Sequence, residues 1–248
     1  MIGGGASGLM AAGRAAEEGA RVLLLEKMGR VGIKLALTGK GRCNLTNSGE
    51  LQDFIASYRH NGKFLYNVFS RFFNEDLIAF FKDRGLSTVE ERGRRIFPAS
   101  QQSQDVVRVL RDFISSHGVR VLIHTPGRGI VVDGGRAVGV RTDSGIFHGR
   151  RVILATGGAS YPQTGSSGEG YRMAEELGHT LQPIRPSLVP LEIAEPDVRD
   201  LQGLALKNVR VTLRAGGQKV GEEFGEMLFT HFGVSGPIIL TLSGDAAD

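Results

Sequence analysis

Cysteine is nearly absent from this sequence, which has a single one, Cys43, among its 248 residues. One cysteine excludes a disulfide within the chain and any zinc site made of several cysteines, and it favours a reducing cytoplasm. Apolar runs are short, since none reaches about 18 residues, the length that a transmembrane helix needs. The first residues are glycine-rich rather than basic and then apolar, so no signal peptide is predicted. We therefore expect a cytoplasmic protein with no membrane partner.

A strong charge of one sign is absent as well, since the net charge is only +4. The arginine-rich run at residues 91–95 lacks the interleaved aromatics and the accompanying motif of a nucleic-acid site. We interpret it as a solvated loop or as arginine placed for an anionic ligand, and we expect no nucleic-acid partner. The histidines show no metal-ligand spacing, so no metal site is predicted. These features leave the oligomeric state open.

Glycine is abundant, with 36 residues that cluster at turns. Gly3, Gly5 and Gly8 form the pattern G-x-G-x-x-G, and a helix rich in small residues, an apolar strand at residues 21–25 and then Glu26 follow it. This order is typical of a dinucleotide-binding turn, in which the glycines permit a tight turn, close approach of pyrophosphate and close helix packing. Glu26 would accept hydrogen bonds from a ribose and would repel the 2′-phosphate of NADP.

The composition of the segment at residues 32–47 favours FAD over NAD as the cofactor. The segment is rich in glycine, threonine and asparagine, so we predict a long loop here rather than the helix of an ordinary crossover. Such a loop offers backbone N–H groups, hydroxyls and cations that suit a pyrophosphate and an extended ribityl–flavin half. Lys34 and Arg42 could neutralise the pyrophosphate or the negative charge of a reduced flavin.

Later segments extend this pattern. A β-meander is predicted within residues 129–148, and a buried parallel strand at residues 151–155 is predicted to end in A-T-G-G beside the cofactor. Further along, the helix signal is weak, and apolar and polar residues alternate as in strands. We therefore divide the chain into a Rossmann-like domain at residues 1–186 and the start of a β-rich domain at residues 187–248.

Four motifs together resemble one family. GGGASG, KLALTGKGRCNLTN, GGASYPQTGSSGEGY and GEMLFTHFGVSGP are similar to the YhiN/BaiN-like, or aminoacetone-oxidase-like, FAD-binding flavoproteins. The resemblance implies an α/β, Rossmann-like FAD-binding domain of the two-dinucleotide-binding-domain type, with a β-meander and an inserted β-rich substrate domain. It also implies either amine oxidation with oxygen or NAD(P)H-linked reduction.

The opening of the chain departs from this pattern. Only Met1 and Ile2 precede the glycine turn, whereas the first strand of a Rossmann sheet needs about five or six residues. At the other end, Gly244 and Asp245 match poorly the turn by which such flavoproteins return to the first domain. We therefore expect a chain clipped at both ends, lacking most of its central first strand and its return segment.

Two residues are candidates for a catalytic role. His231 either faces the flavin as an acid–base group or substrate anchor, or holds a loop as a structural histidine. Arg42 is the other candidate, and Cys43 has no second cysteine for a redox pair. The residues predicted to bind the cofactor are Gly3, Gly5, Ala6, Ser7, Gly8, Glu26, Lys27, Lys34, Thr38, Gly39, Gly41, Arg42, Cys43, Asn44, Thr46, Ala155, Thr156, Gly157 and Gly158.

The predicted function is that of an FAD-dependent oxidoreductase acting on a small organic substrate, with NAD(P)H as the co-substrate if the reaction is a reduction. The residues do not choose between oxidation of an amine and reduction of an unsaturated substrate. A different class of function is an accessory or RNA-modification-related protein in which FAD is structural. An inactive fragment is the third alternative.

Overall fold

The structure is a computed structural model that describes residues 1–246. Its helices are α1 (Ala6–Glu17), α2 (Ile33–Gly41), α3 (Leu51–Ser57), α4 (Tyr66–Phe69), α5 (Asn74–Lys82), α6 (Ser103–Ser116), α7 (Glu169–Glu175) and α8 (Pro237–Ala246). Its strands are β1 (Leu23–Leu25), β2 (Thr46–Asn47), β3 (Thr88–Glu91), β4 (Arg95–Pro98), β5 (Arg120–Leu122), β6 (Gly129–Asp133), β7 (Arg136–Thr142), β8 (Gly145–His148), β9 (Leu191–Glu192), β10 (Ala205–Ala215), β11 (Gln218–Phe229) and β12 (Gly233–Ser235). The chain forms two compact units, residues 1–180 and residues 181–248.

A parallel layer organises the first unit. Strand β1 pairs in parallel with β5, and Ile2 forms parallel bridges to Leu25 on one side and to Leu154 on the other. The N–H of Ile2 donates to the carbonyl of Ile153 at 2.9 Å, and the N–H of Ala155 donates to the carbonyl of Ile2 at 2.8 Å. The opening residues therefore occupy the central position predicted for the first Rossmann strand.

The prediction of a buried strand at residues 151–155 is wrong. In this stretch the structure has only an isolated bridge at Leu154, and the side chain of Ile153 is 44% exposed. The reason is the shortness of its neighbour, because Ile2 offers pairing only to Ile153 and Ala155. A ladder with so few hydrogen bonds does not meet the definition of a regular strand.

Two helices pack closely against this layer. The largest core cluster contains Leu9 and Ala12 of α1, which are fully buried, together with Phe113 of α6. A Cβ atom built at Gly13 would lie 2.2 Å from the ring of Phe113, so α1 approaches α6 more closely than an alanine would allow. The rings of Phe80 and Phe113 meet edge to face at 5.0 Å, which adds specific aromatic packing to the same core.

Two small antiparallel sheets complete the first unit. One has the strand order β2-β4-β3, and the other is the meander β6-β7-β8. The meander confirms the prediction for residues 129–148. Its strands β7 and β8 pair from Gly139 opposite His148 to Thr142 opposite Gly145.

The second unit is a four-stranded sheet with the order β10-β11-β12-β9, and its neighbouring strands run antiparallel. Helix α8 covers one face of this sheet, where Val234, Ile238 and Ile239 form a separate core cluster. A Cβ atom at Gly225 would lie 2.8 Å from a methyl group of Ile238, so β11 and α8 are in close contact. Among residues 1–246, no helix is both long and apolar enough to cross a membrane.

Close packing at Gly13 generates the first prediction. Gly13→Ala should destabilise the fold by about 1–3 kcal/mol through overpacking, less the gain of up to about 1 kcal/mol in helix propensity. Chemical denaturation of the variant, of Phe113→Leu and of the double variant measures the coupling between the two positions. We expect the double variant to be more stable than the sum of the single effects predicts. Strict additivity would contradict the proposed contact.

Burial of Cys43 generates the second prediction. Its side chain is 1% exposed within the core, and burial raises the pKa of its thiol, although the hydroxyl of Thr38 opposes that shift. A buried thiol with a raised pKa is a poor nucleophile. We expect Ellman's reagent to leave the native protein unlabelled at pH 8 and to label one thiol per chain in guanidinium chloride. Rapid stoichiometric labelling of the native protein would show that Cys43 is accessible.

Candidate functional site

A cavity of about 430 Å³ lies where the parallel segments end. This size is within the usual range for small-molecule sites, and the carboxyl edge of a parallel sheet is their usual place. The lining comes from the glycine turn, the end of β1, the start of α2 and the chain that follows Leu154. It comprises Ile2, Gly3, Gly4, Gly5, Ala6, Ser7, Leu25, Glu26, Lys27, Arg30, Gly32, Ile33, Lys34, Leu35, Thr38, Gly127, Ala155, Thr156, Gly157, Gly158, Thr164, Gly165, Ser166 and Glu169.

The three glycines of the turn have different surroundings. A Cβ atom at Gly3 would lie 2.4 Å from the carbonyl oxygen of Ala155, and one at Gly8 would lie 1.9 Å from the carbonyl oxygen of Gly3. A Cβ atom at Gly5 would meet nothing within 4 Å. The packing of the protein therefore requires Gly3 and Gly8, whereas Gly5 leaves backbone open to the cavity.

Helix α1 begins at this open backbone. Gly5 is its extended N-cap residue, and no side chain caps the helix. The first N–H groups of a helix have no partner within the helix, and they carry the positive end of its dipole. Gly5, Ala6 and Ser7 are exposed and line the cavity, so these donors face the space in which a ligand would lie.

Glu26 links the turn to the end of β1. It is 8% exposed, and its Oε2 accepts the N–H of Gly4 at 2.7 Å while its Oε1 accepts the N–H of Met28 at 2.7 Å. Each carboxylate oxygen can accept a further hydrogen bond, so Glu26 retains acceptor capacity toward the cavity. The predicted ribose acceptor is thus also a brace for the glycine turn, which the motif alone did not indicate.

Two lysines reach across the cavity to the segment that follows Leu154. The ammonium group of Lys27 donates to the hydroxyl of Ser167 at 2.7 Å and pairs with the carboxylate of Glu169. The ammonium group of Lys34 donates to the carbonyl of Ser160 at 2.7 Å, and desolvation lowers the pKa of Lys34. Both lysines were predicted to bind the cofactor, and both also hold the opposite wall of the cavity.

The segment at residues 32–47 is not the continuous loop that its composition predicts. Helix α2 begins after Gly32, and the backbone becomes non-helical at Thr38, Gly39 and Lys40. Residues 33–37 are helical because leucine, alanine and lysine favour helix, and because Ser103 of α6 donates its hydroxyl to the carbonyl of Ala36 at 2.8 Å. Only the early part of the segment, through Lys34 and Thr38, contributes predicted residues to the cavity.

The remaining predicted residues of this segment lie outside the cavity lining. Arg42 donates from Nη1 to Glu91 at 2.8 Å and to Gln101 at 2.9 Å, and its guanidinium lies 4.2 Å from the ring centre of Phe97. Arg42 therefore supports the β3–β4 hairpin. The predicted residues that do not line the cavity are Gly8, Gly39, Gly41, Arg42, Cys43, Asn44 and Thr46.

His231 lies in the second unit, at the tip of a tight turn. The N–H of Thr230 donates to the carbonyl of Gly233 at 2.8 Å, and the N–H of Gly233 donates to the hydroxyl of Thr230 at 3.1 Å. The imidazole is exposed and meets the ring of Phe232 edge to face at 4.9 Å. Thr230, rather than the histidine, therefore closes this turn.

Several lining residues were not among those named as cofactor-binding. Thr164, Gly165, Ser166 and Glu169 belong to the motif GGASYPQTGSSGEGY, a loop that the family resemblance implies helps to enclose the flavin. Arg30 lies in the turn before α2, and no local pattern distinguishes it from a solvated arginine.

Comparison with known proteins places this geometry in context. The sequence matches the family described as HI0933-like protein Rossmann domain over residues 1–239. A 3-dehydro-bile acid delta(4,6)-reductase from Clostridium scindens is 35% identical over 245 residues, which are 98% of this chain and 59% of the relative. A ribosomal RNA dihydrouridine synthase from Escherichia coli is 31% identical over 245 residues, with the same coverage of 98% and 59%. The chain thus spans about three fifths of the length of these curated relatives.

Solved structures agree on the fold. The open conformation of a flavocytochrome c3 fumarate reductase superposes with a TM-score of 0.57 at 17% identity, covering 84% of this chain and 46% of the other. This likeness supports the α/β, Rossmann-type architecture that the glycine turn predicted. Because the family match extends over residues 1–239, the chain belongs to the HI0933-like Rossmann domain family.

Proposed function

We propose that the cavity binds FAD, with the pyrophosphate over Gly5 and the first turn of α1. The observation that carries this proposal is the open backbone at Gly5, which the Glu26–Gly4 hydrogen bond braces from behind. Free N–H groups at a helix N-terminus are a suitable site for phosphate oxygens. The remaining acceptor capacity of Glu26 suits the hydroxyls of an adenosine ribose.

The charges around the cavity support the same assignment. Lys27, Arg30 and Lys34 line it together with the carboxylates of Glu26 and Glu169, so cations are in excess. An excess of cations favours a diphosphate over a neutral ligand. Glu26 disfavours the 2′-phosphate of NADP at this position, because two anionic groups would lie together. NAD(P)H, as a source of electrons, would therefore act from another place.

We further propose that the whole protein is an FAD-dependent oxidoreductase that reduces a carbon–carbon double bond conjugated to a carbonyl group. FAD, when bound, supplies hydride transfer to or from a substrate. The names of the bile acid reductase and the dihydrouridine synthase both describe the addition of hydrogen to such a double bond. Reduction is therefore favoured over the amine oxidation that the sequence left open.

The substrate class is the second part of this proposal. The relative with the higher identity acts on a small fused-ring ketone, which agrees with the expectation of a small organic substrate. Uridine within RNA is the second candidate, because the next relative is named for a ribosomal RNA. The two classes can be compared directly with the same reduced protein.

Flavin binding generates the third prediction. Gly5→Val should fold, since a Cβ atom at this position meets no protein atom within 4 Å, but it should weaken FAD binding about a hundredfold or more by filling the space of the phosphates. Flavin fluorescence quenching measures the affinity, and thermal unfolding without FAD verifies the fold. Gly149→Val is the matched control, because a Cβ atom there has only an ordinary contact at 3.6 Å and lies outside the cavity lining. Equal affinity of Gly5→Val and the wild type would refute the proposed phosphate position.

Substrate class generates the fourth prediction. The FAD-loaded protein is reduced anaerobically, with NADPH, NADH or dithionite, and is then mixed with progesterone, an unsaturated steroid ketone, or with a uridine-rich RNA. We expect return of the oxidised flavin absorbance with progesterone, accompanied by a saturated product in mass spectrometry. Return with RNA alone would support the second candidate. Bleaching of the oxidised protein by a primary amine, with no response to either acceptor, would contradict the proposed reduction.

A further inference from the structure

A second pocket lies on the meander, away from the cofactor cavity. It has a volume of about 380 Å³ and is lined by Arg136, Ala137, Arg150, Arg151 and Val152. Three of its five lining residues are arginines, and the two others are apolar. None of these residues lines the cavity proposed for FAD.

The register of the meander brings the arginines together. Gly139 lies opposite His148, and the N–H of Gly149 donates to the carbonyl of Val138 at 3.0 Å. The chain that follows β8 thus stays beside the start of β7, and the pocket is lined from both segments, by Arg136 and Ala137 and by Arg150, Arg151 and Val152. The three arginines therefore belong to two neighbouring segments that a backbone hydrogen bond joins.

The charges in this pocket are not compensated by the protein. Within residues 1–246, none of the three guanidinium groups forms an ion pair, and Arg136 does not pair even with Asp133, its partner in the hairpin register. Arg151 donates from Nη1 to the carbonyl of the adjacent Arg150 at 2.8 Å, and all three arginines are exposed. Like charges on neighbouring strands destabilise a sheet, so an anion that binds here would relieve this repulsion.

We propose that this arginine pocket is a binding site for the phosphate group of a second ligand. Guanidinium groups match phosphate oxygens in pairs and retain their charge at any physiological pH. Val152 precedes Ala155, which lines the cavity, by three residues of extended chain, so the two sites lie about 10 Å apart along that chain. The pocket lies at the amino end of this segment, whereas the cofactor cavity lies at its carboxyl end.

The test is a titration of the nitrogen-15-labelled protein with sodium pyrophosphate, followed through the amide signals of Ala137 and Val152. These signals should shift and saturate, and the affinity should fall about tenfold or more when Arg136, Arg150 and Arg151 are all replaced by glutamine. The matched control replaces Arg92, Arg94 and Arg95 of the β3–β4 hairpin by glutamine, which removes the same charge elsewhere. This control should retain the wild-type affinity, and dispersed spectra of both variants verify their folds.

The source of the phosphate group is distinguished by a second titration, with an RNA oligonucleotide of about ten residues. Shifts of the same two signals at about a hundredfold lower concentration than with pyrophosphate would identify a polynucleotide backbone. A response to pyrophosphate alone would identify a free phosphate compound. The proposal is overturned if Ala137 and Val152 do not respond to either probe. It is also overturned if both triple variants lose affinity equally, because net charge alone would then explain binding.

Discussion

The backbone hydrogen bonds of residues 1–3 to the segments on both sides are the interaction on which the rest of the site depends. Ile2 bonds to Ile153 and Ala155, whereas Met1 and Gly3 bond to Leu25. These hydrogen bonds join the end of β1 to the chain that follows Leu154, and these are the two segments between which the cavity opens. Gly3 donates its N–H to the carbonyl of Leu25 at 2.8 Å, so the glycine turn begins at a fixed point. The direction of α1, and with it the direction of its free N–H groups, follows from that start.

Close packing around the glycine turn then restricts which residues can occupy its positions. Gly3 and Gly8 have no room for a side chain, and Gly4 has none either, because a Cβ atom there would lie 2.6 Å from a methyl group of Val31. The carboxylate of Glu26 accepts the N–H of Gly4 at this position. A buried carboxylate needs such a hydrogen bond, because burying it without a partner is costly. Gly5 is different, since a Cβ atom there would meet nothing within 4 Å, and glycine is also a favourable N-cap residue for α1. Packing thus accounts for Gly3 and Gly8 of the motif but not for Gly5.

The parts of the site that the sequence predicted are those in which function depends on local geometry. The glycine turn, Glu26 and residues 155–158 line the cavity because strand, turn and helix follow one another within a few residues. Arg42 could not be placed in this way, since its partners Glu91 and Gln101 lie 49 and 59 residues further along the chain. Composition also misled the prediction for α2, because the glycines and threonines of the segment lie outside its helical residues 33–37, and Ser103 of another helix contacts that helical part at Ala36. The prediction of a strand at residues 151–155 was wrong for a similar reason. A regular strand forms only where the neighbouring strand is long enough to pair with it.

The cavity wall at residues 157–169 is held to the opposite side by the side chains of Lys27 and Lys34 rather than by a backbone ladder. The hydrogen bonds of Lys27 and Lys34 join segments 126 to 142 residues apart, and the ammonium group of Lys27 is itself partly exposed. Partly exposed ion pairs contribute little stability and are screened by salt, whereas the parallel layer on the other side is hydrogen-bonded through its backbone. Local opening should therefore require less free energy at residues 157–169 than at β1. The backbone-paired glycine turn is therefore expected to be the more rigid side of the cavity, and the segment held by the two lysines the less rigid one.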